Sequence, residues 1–408
     1  MSAPSAARRV VVTGAGVVSA LGLDAPAHWA ALKAGVCAIG ELELRDLDRL
    51  TARVGAQARG FVAEERFERA QLSLYDRHTQ FALTAAAEAW AQAAPGLSED
   101  EALRAAVVIG TALPGMQTFD DSYRAVFEEG KSRVHPFVVP RLMVSAPASH
   151  ISMTLGLKGP AFSVSTACAS ANHAIGQAFH LVRSGAAEIA VAGGAEAPLT
   201  FGAMKAWEGL RVMTRDVCRP FSKGRAGMAI GEGAGVFVLE SRERAEARGA
   251  TILAELAGFG MSADAGDIVQ PSADGAARAM RASLADGGLA PEEIVYVNAH
   301  GTGTAANDRT ETAALRAVFG AHADALSVSS TKSMHGHALG AAGALEFAAV
   351  LGALAEGVIP PTVNHLEADP ECDLDVTPNA ARLREVPAAI SNAFAFGGLN
   401  AVLALRRA

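Results

Sequence analysis

The sequence contains few aromatic residues and few cysteines, and both scarcities restrict the class of protein. Aromatic residues make up 5% of the 408 positions, whereas half of the residues are apolar and 41 are glycine. This composition is typical of a large, well-buried α/β enzyme and excludes a disordered or fibrous chain. The four cysteines lie far apart and form no CxxC pair: Cys37, Cys168, Cys218 and Cys372. A disulfide framework is therefore not expected in a chain of this size, and we predict a reducing, cytoplasmic environment.

The sequence also lacks a basic excess and a long hydrophobic run. The formal net charge is -8, and Arg8-Arg9 is no more than a pair. This charge argues against nucleic acid as a partner, although a mildly acidic chain can carry a local basic patch for an acidic protein. Residues 1–9 are too short for a leader peptide, and no stretch approaches the roughly 18–20 uninterrupted apolar residues that span a bilayer. We therefore expect no membrane partner.

Strands alternate with helices in both parts of the chain. A length of 408 residues suggests two similar halves. We place the first half at 1–250, with a surface insertion at about 114–150, and the second half at 251–408. The alternation predicts an α/β fold with a mostly parallel sheet in each half. No low-complexity linker separates the halves, so we expect them to pack as one body.

Several predicted strands run into glycines. The apolar run at 10–13 enters residues 14–16 (GAG), and a similar run at 252–259 enters Gly260. Glycine after a short β-branched or apolar run indicates a turn, so we interpret these glycines as strand ends.

Cys168 has the surroundings of a nucleophile. It follows a strand-like run at 161–166, which we expect to be buried, and precedes a predicted helix at 172–183. Its neighbours are small, so a substrate has room to approach. A helix N-terminus directs N–H groups and a positive dipole end at the sulfur, and both favour the nucleophilic thiolate. A buried core cysteine remains the alternative interpretation, because free cysteine is commonly buried.

Two histidines end elements in the second half. His300 ends a predicted strand and is followed by residues 301–304 (GTGT), and His337 lies shortly before residues 340–343 (GAAG). With Cys168 in the other half, these side chains are candidates for one cleft. Isolated histidines such as His28 more often have a structural role or lie on the surface.

Three other site types are disfavoured. Residues 14–16 resemble the start of a dinucleotide-binding loop, but position 19 is serine where GxGxxG requires glycine. His335, His337 and His300 lack the spacing and the fourth ligand of a zinc site, so we expect no metal. No GxSxG motif is present, which disfavours a serine hydrolase.

Four motifs together resemble the β-ketoacyl-acyl-carrier-protein synthases, specifically the synthase II type. Residues 164–170 (VSTACAS) resemble the nucleophile motif, and residues 297–304 (VNAHGTGT) the first histidine motif. Lys332 with His337 and the following GAAG resembles the second histidine motif, and residues 392–398 (NAFAFGG) the glycine-rich gate. The resemblance covers almost the whole chain. It implies a thiolase-like fold, with two similar βαβαβ-type halves packed as a layered αβαβα body.

The resemblance also implies a reaction. Cys168 would accept an acyl group from carrier-protein phosphopantetheine. Malonyl-carrier protein would lose carbon dioxide, and the enolate would attack the acyl-Cys168 to give a 3-oxoacyl product. His300 and His337, as neutral N–H donors, would stabilise the thioester oxygen, and His300 would assist decarboxylation. Lys332 would act by position and charge near His337, and Glu346 would support that region.

Further residues receive roles by the same resemblance. Backbone N–H groups of Cys168 and Phe396 would form a second oxyanion hole, and Thr302 and Thr304 would bind the pantetheine arm. An apolar acyl tunnel would be lined by Leu113, Trp207 and Met213. The acyl carrier protein would dock on Lys131, Arg133 and Arg211. The chemistry requires no metal and no soluble redox cofactor.

The sequence departs from ordinary synthase II enzymes at several positions. Leu399 follows Phe-Gly-Gly where threonine is usual, and residues 305–311 (AANDRTE) resemble specialised polyketide, nodulation-type and aryl-polyene-type synthases. The helix that often docks the carrier protein is poor in basic residues at 71–74 (QLSL). These departures favour a specialised pathway over housekeeping elongation.

Two other functions and two assemblies stay open at this point. A non-catalytic chain-length-factor-like subunit is the first alternative function, although such subunits usually lack the nucleophile. A thiolase-like CoA acyltransferase is the second. A homodimer is expected, because two-fold dimers are the commonest oligomer, with a heterodimer of related subunits as the alternative.

Overall fold

The structure, a computed structural model, describes residues 8–408. Residues 1–7, which include most of the N-terminal segment considered for a leader peptide and the start of the predicted first half, lie outside the described residues. The strands are β1 (Val10–Ser19), β2 (Gly40–Glu41), β3 (Val54–Ala56), β4 (Ala106–Gly110), β5 (Ala161–Val164), β6 (Ile189–Glu196), β7 (Ile230–Gly231), β8 (Gly233–Ser241), β9 (Ala254–Ala263), β10 (Tyr296–Asn298), β11 (Ser327–Ser329), β12 (Val358–Ile359), β13 (Arg382–Leu383), β14 (Ala388–Ala395) and β15 (Leu399–Arg406).

The helices alternate with these strands through most of the chain. They are α1 (Ala25–Lys33), α2 (Arg69–Leu72), α3 (Arg77–Ala93), α4 (Glu99–Ala102), α5 (Met116–Tyr123), α6 (Val138–Leu142), α7 (Ala146–Leu155), α8 (Ser170–Arg183), α9 (Phe201–Gly209), α10 (Arg242–Ala247), α11 (Ala273–Gly287), α12 (Ala305–Phe319), α13 (Lys332–His335) and α14 (Ala342–Glu356). A π-helical turn at Arg124–Glu128 continues α5.

The principal sheet has the strand order β11-β10-β14-β15-β9-β1-β8-β6-β4-β5. Its two halves repeat one pattern, because β4 and β10 each pair with parallel neighbours on both sides, and an antiparallel pair follows in each half. The halves join through β1 and β9, where Val10–Val12 pair with Ala254–Leu256. The sequence alternation therefore predicted the repeated arrangement correctly. The expectation of a mostly parallel sheet in each half was wrong, because β8 pairs antiparallel with β1 and β6, and β15 with β9 and β14, and all of these strands belong to one continuous sheet.

Helices form three layers around the two half-sheets. α3 and α7 pack on one outer side and α11 on the other, while α8 and α14 contact each other and strands of both halves. The main apolar core accordingly combines residues of both halves, such as Phe179 and Phe237 with Tyr296 and Leu403. The predicted layered αβαβα body is confirmed.

The glycines that we interpreted as strand ends lie inside strands. β1 continues from Val10 to Ser19 through Gly14 and Gly16, and β9 continues to Ala263 through Gly260. A Cβ atom on Gly14 would lie 2.1 Å from the carbonyl oxygen of Ala89 in α3. The interpretation was wrong because these glycines allow a helix backbone to approach the sheet closely, a role that looks like a turn in sequence.

The strand before the nucleophile also differs from the prediction. β5 is not buried, because it is the last strand of the sheet order, and Ala161 and Phe162 are exposed. The predicted insertion at about 114–150 is surface-lying, but it contains α5, α6 and the start of α7. Short amphipathic stretches form these helices, and the prolines and charged residues between them make the stretches hard to recognise in the sequence.

One helix, Leu339–Glu356, has the length and apolar composition to cross a membrane. Of the window that meets this test, 78% is buried inside the protein. This is the pattern of the core helix of a soluble protein, and it agrees with the position of α14 between the two half-sheets.

Candidate active site

Cys168 lies at a constrained turn between β5 and α8. Ala167 has a positive φ of 47°, so the chain turns sharply before the cysteine. The Ser170 hydroxyl donates to the carbonyl oxygen of Ala167 at 2.6 Å and accepts from the backbone N–H of Thr166 at 2.9 Å. A residue held at positive φ by local hydrogen bonds is typical of functional turns. The turn therefore fixes the direction of the Cys168 side chain.

His337 is the direct partner of this cysteine. Its Nε2 atom lies 3.0 Å from the Cys168 sulfur, and both side chains are buried. Burial raises the pKa of Cys168 to about 12, although the charge of Lys332 opposes this shift. Burial therefore opposes the effect that we expect from the helix terminus, and the thiolate-favouring role of that terminus stays a prediction.

His300 lies beside His337 at the end of β10. The two ring centroids are 5.5 Å apart and the rings are nearly perpendicular. Burial lowers the pKa of both imidazoles well below 6.5, and the charge of Lys332 adds to this effect. Both histidines are consequently neutral at neutral pH, which is the state of an N–H donor.

Lys332 contacts His300 rather than His337. Its Nζ atom lies 3.4 Å from Nδ1 of His300 and is hydrogen-bonded to Glu346. Since an ammonium group only donates, this contact leaves Nδ1 of His300 as acceptor and places the proton on Nε2. The charge of Lys332 also lowers the pKa of His337, as expected for a position near that residue, but its direct contact is with His300. Burial raises the pKa of Glu346 to about 7, against the opposing effect of Lys332.

Buried carboxylates hold the loop after His300. Glu311 accepts from the backbone N–H groups of His300 and Gly301, both at 2.8 Å. Asp308 accepts from the backbone N–H of Gly303 at 3.2 Å. Thr302 and Thr304 project from this loop, with hydroxyl oxygens 2.9 Å apart. The loop is therefore rigid where the two threonines face the cavity.

These residues surround one cavity of about 780 Å³, measured with its open mouth. Cys168, His300 and His337 lie in its wall, and the threonines, Trp207 and Phe396 line it as well. Phe396 is half-buried beside the glycines 397 and 398. The backbone N–H of Gly397 donates to Ile268 at 2.8 Å, so the predicted gate rests on the loop that follows β9.

The predicted acyl-pocket residues belong to the apolar cluster that contains Cys168. Trp207 lies in the cavity wall with its ring centroid 6.1 Å from that of Phe396. Leu113 and Met213 pack in the same cluster but do not line the cavity. Of these three residues, only Trp207 lines the cavity that Cys168 also lines.

The predicted docking residues are exposed. Lys131 lies after the π-helical turn and pairs with Glu129 at 2.5 Å. Arg133 follows it, and Arg211 lies directly after α9. Lys131 and Arg133 share one surface segment, whereas Arg211 belongs to the segment that leads to Val212 of the cavity wall.

Within residues 8–408, no group of three or more His, Cys, Asp or Glu side chains is arranged to hold a metal ion. Both ring nitrogens of His335, one of the three histidines considered for zinc, contact polar groups of the protein. Its ring nitrogens lie 2.8 Å from the carbonyl oxygen of Gly336 and 3.0 Å from the hydroxyl of Thr331.

The buried acids behind the site were not predicted from the sequence. Glu196 accepts from the backbone N–H groups of Ala112, Leu113 and Gly340 at 2.7, 3.0 and 3.0 Å. Glu311 and Asp308 were read only as part of a family signature. A carboxylate at the end of an apolar, glycine-rich strand, as in residues 189–196, was the available signal, because a charge there needs buried partners.

Two family models match this chain. The Beta-ketoacyl synthase, N-terminal domain, matches residues 7–245, and the Beta-ketoacyl synthase, C-terminal domain, matches residues 253–366. Together they cover most of the sequence, including Cys168, His300 and His337.

Curated relatives match over almost the whole chain. Nodulation protein E of Rhizobium sp. (strain N33) is 51% identical over 400 residues, which covers 98% of this chain and 99% of that protein. The 3-oxoacyl-[acyl-carrier-protein] synthase 2 of Staphylococcus aureus (strain COL) is 39% identical over 409 residues, with 98% of each chain covered.

Solved structures share the fold. The ishigamide ketosynthase/chain length factor aligns with a TM-score of 0.94 and 38% identity, covering 99% of this chain and all of that chain. A type II PKS acyl-carrier protein in complex with its ketosynthase bound to the hexaketide aligns with a TM-score of 0.88 and 30% identity, covering 98% of this chain and all of that chain.

Proposed function

We propose a division of labour among the site residues from the premise that this chain belongs to the β-ketoacyl synthase family. The chain is a carbon–carbon bond-forming acyltransferase that condenses an acyl group with malonyl-carrier protein, in fatty-acid or polyketide biosynthesis. The predicted function is confirmed at this level. The observation that carries the assignment of roles is the contact between Cys168 and His337 beside His300 in one cavity.

Cys168 accepts the acyl group. The thiol sulfur, which lies 3.0 Å from Nε2 of His337, attacks the carbonyl carbon of the acyl thioester. The bond to the pantetheine sulfur breaks, and the pantetheine sulfur takes up the proton that the Cys168 thiol gives up, so a new thioester replaces the old one. The backbone N–H groups of Cys168 and Phe396 stabilise the oxyanion of this step.

His300 and His337 then act together on the malonyl group. Carbon dioxide leaves, and negative charge collects on the thioester oxygen of the enolate. Two neutral imidazole N–H groups stabilise this charge, and Lys332 keeps the His300 proton on the cavity side. The enolate carbon attacks the acyl-Cys168, the carbon–sulfur bond breaks, and the thiol is restored on protonation.

The carrier protein delivers both substrates through the open mouth of the cavity. Thr302 and Thr304 bind the pantetheine arm, and exposed Lys131, Arg133 and Arg211 receive the acidic carrier. Charge reversal of the three side chains is expected to raise the KM for carrier-bound substrates, with salt weakening the wild-type interaction. Arg407→Glu, an exposed change at the C-terminus, is the matched control. Unchanged kinetics in the triple reversal would place docking elsewhere.

The substrate is that of a specialised pathway rather than of housekeeping elongation. Trp207 narrows the apolar side of the cavity and favours a flat or short acyl chain over a long flexible one. The 51% identity to a nodulation protein E, against 39% to a synthase 2, supports this choice. Mass spectrometry of products formed with the genomically neighbouring carrier protein identifies the acyl group.

The active form is a homodimer in the cytoplasm. β5 ends the sheet with an unpaired edge, and exposed apolar side chains lie near it in sequence, including Phe137, Val139, Met153 and Phe162. Unpaired edges and apolar patches of this kind are usually covered by a partner. Light scattering is expected to give twice the chain mass, and a stable monomer would contradict this.

A single assay tests the assignment as a whole. Purified protein with malonyl- and acyl-carrier protein is expected to release carbon dioxide and form the 3-oxoacyl product. Carbon dioxide release without condensation would indicate a partner subunit, and activity only on CoA thioesters would indicate a thiolase-like acyltransferase.

A further inference from the structure

The segment that carries Leu113 is held by buried carboxylates on both sides of the residue. On the N-terminal side, Glu196 accepts from the backbone N–H groups of Ala112 and Leu113. On the C-terminal side, Asp76 accepts from the backbone N–H of Thr118 at 2.8 Å and from its hydroxyl at 2.6 Å. Asp76 is fully buried and lies at the start of α3, whereas Cys168 lies just before α8.

Asp76 caps two helices at once. It is the N-cap residue of α3, and its Oδ1 accepts from the backbone N–H of His78. Thr118 is the third residue of α5, whose own N-cap residue, Gly115, has no side chain to offer. The orphan N–H groups at a helix start need an acceptor. Asp76 supplies it to α5 from another helix, which ties the two helix starts together.

His78 completes this arrangement. Its side chain is fully buried, and Nδ1 lies 2.9 Å from Oδ1 of Asp76 and 3.4 Å from the backbone nitrogen of Gly115. Burial opposes ionisation of Asp76, but the hydrogen bond and charge of His78 and the hydrogen bonds of Thr118 bring its pKa down to about 2. The carboxylate is therefore an anion at neutral pH and holds its donors strongly.

The frame behind this pair is rigid. α3 packs along β1 and β8 of the central sheet. Gly115 turns the chain at φ 68°, and a Cβ atom there would lie 2.6 Å from Leu142, so the turn has little freedom. Leu113 lies just before the turn and packs in the apolar cluster of Cys168 and Trp207. A shift of the first turn of α5 therefore moves Leu113 relative to the nucleophile.

We propose that Asp76 and His78 are positioning residues that set the depth of the acyl pocket by holding the start of α5, and with it Leu113, against the Cys168 cluster. Neither these two side chains nor Leu113 lines the cavity, so the pair acts on the pocket through the packing of Leu113 against the cluster of Cys168 and Trp207, and not on the substrate. This inference rests on the proposed function, because it concerns the acyl group that Cys168 accepts.

Two variants and one control test the inference. Asp76→Asn keeps the size of the side chain and removes its charge, and Thr118→Val removes the hydroxyl donor at the other end of the contact. Asp121→Asn makes the same chemical change as the first variant at an exposed position of α5 that faces Arg45. Acylation of Cys168 by carrier-bound acyl groups of graded length is followed by intact-protein mass spectrometry, together with condensation kinetics.

The ratio of kcat/KM for the longest accepted acyl group to that for a short one is expected to change about tenfold in Asp76→Asn. The change is expected to be smaller in Thr118→Val, because one of two hydrogen bonds to Asp76 remains, and absent in Asp121→Asn. Loss of a helix cap has effects of this order. The KM for malonyl-carrier protein is expected to stay unchanged in all three variants, because the malonyl group does not enter the acyl pocket.

An unchanged length ratio in folded Asp76→Asn and Thr118→Val would overturn the inference. So would an equal loss for every acyl length, which indicates a general structural role. If Asp76→Asn does not fold, Thr118→Val decides by the same criterion. Failure of the wild-type protein to condense any acyl group would overturn the proposed function and this inference with it, whereas normal wild-type activity with unaltered variant ratios would overturn the inference alone.

Discussion

The nucleophile and the histidines are held in place by different forces. Around Cys168 the neighbours are small and apolar, and the turn is fixed by positive φ at Ala167 and the hydroxyl of Ser170. Around His300 and His337 the buried neighbours are charged, and Lys332 is the most prominent of them. Sterics position the sulfur, whereas electrostatics set the proton positions of the imidazoles.

This difference follows from what each group must do. A thiol in an apolar turn stays protonated between turnovers, because burial raises its pKa, and a thiol is less reactive than a thiolate. An imidazole that donates an N–H group must have a defined tautomer, and a neighbouring ammonium provides that. The two sides of the site should therefore respond differently to substitution.

The largest effect is expected at the nucleophile. Cys168→Ala removes the proposed acceptor of the acyl chain, so acylation and condensation should both disappear while the fold is kept. Prior acylation should also block alkylation of Cys168 in the wild-type protein. Intact-protein mass spectrometry measures both. Stoichiometric acylation of Cys168→Ala would show that another residue is the acceptor.

The histidines should separate the two half-reactions. His300→Ala and His337→Ala each remove a donor to the enolate oxygen, which typically costs about 10²–10³ in rate. Condensation should fall by this factor in both variants, while acyl transfer to Cys168 should survive better because no enolate forms in that step. Rapid-quench kinetics of each half-reaction decide this. Equal, near-complete loss of both steps would instead mean that the histidines are structural.

The Lys332–Glu346 pair should distinguish stability from catalysis. Glu346→Gln leaves a buried ammonium without its counter-charge, which is expected to cost about 3–5 kcal/mol of unfolding free energy. The double variant Lys332→Met/Glu346→Gln should recover most of the stability, yet not the condensation rate, because His300 loses the donor at Nδ1. Denaturant unfolding and kinetics on the same samples test this. Recovery of the rate together with stability would remove the role of Lys332 in orienting His300.

Acid should destabilise the protein through its buried histidines. Burial lowers the pKa of His28 from 6.5 to about 4, although the carbonyl of Leu345 opposes the shift. Below pH 6.5 this histidine binds a proton in the unfolded chain but stays neutral in the folded chain. The free energy of unfolding therefore falls as the pH drops toward 4, by about 3 kcal/mol for this group. His28→Gln should weaken the pH dependence of the unfolding midpoint. An identical pH profile in wild type and variant would contradict this.

The smallest effect is expected at Trp207. Trp207→Ala removes an indole from the cavity wall and so widens the cavity, while Cys168 and the histidines stay unchanged. The longest accepted acyl group should therefore become longer, and activity on short groups should persist. Acyl-carrier substrates of graded length measure this. An unchanged length profile in a folded variant would leave chain-length control to other residues.

The candidate reacting residues stand out in the sequence more clearly than their surroundings do. Cys168 and His300 each follow a predicted strand next to small residues, and His337 lies shortly before the small residues 340–343. The prediction that the glycines at 14 and 260 end strands was wrong, because glycine is required both in a tight turn and where a helix packs closely against a strand. Asp76 and Glu196 were missed because their partners lie on elements distant in the chain.

The sequence by itself determined the repeated α/β architecture, the family and the candidate groups for the chemistry, since periodicity and sequence motifs belong to short stretches of the chain. Tertiary structure alone decided that Lys332 faces His300, that β5 is an exposed edge and that Asp76 holds the start of α5. Each of these depends on contacts between residues far apart in sequence. Such contacts arise only when the two half-sheets close around α8 and α14, which no local pattern encodes.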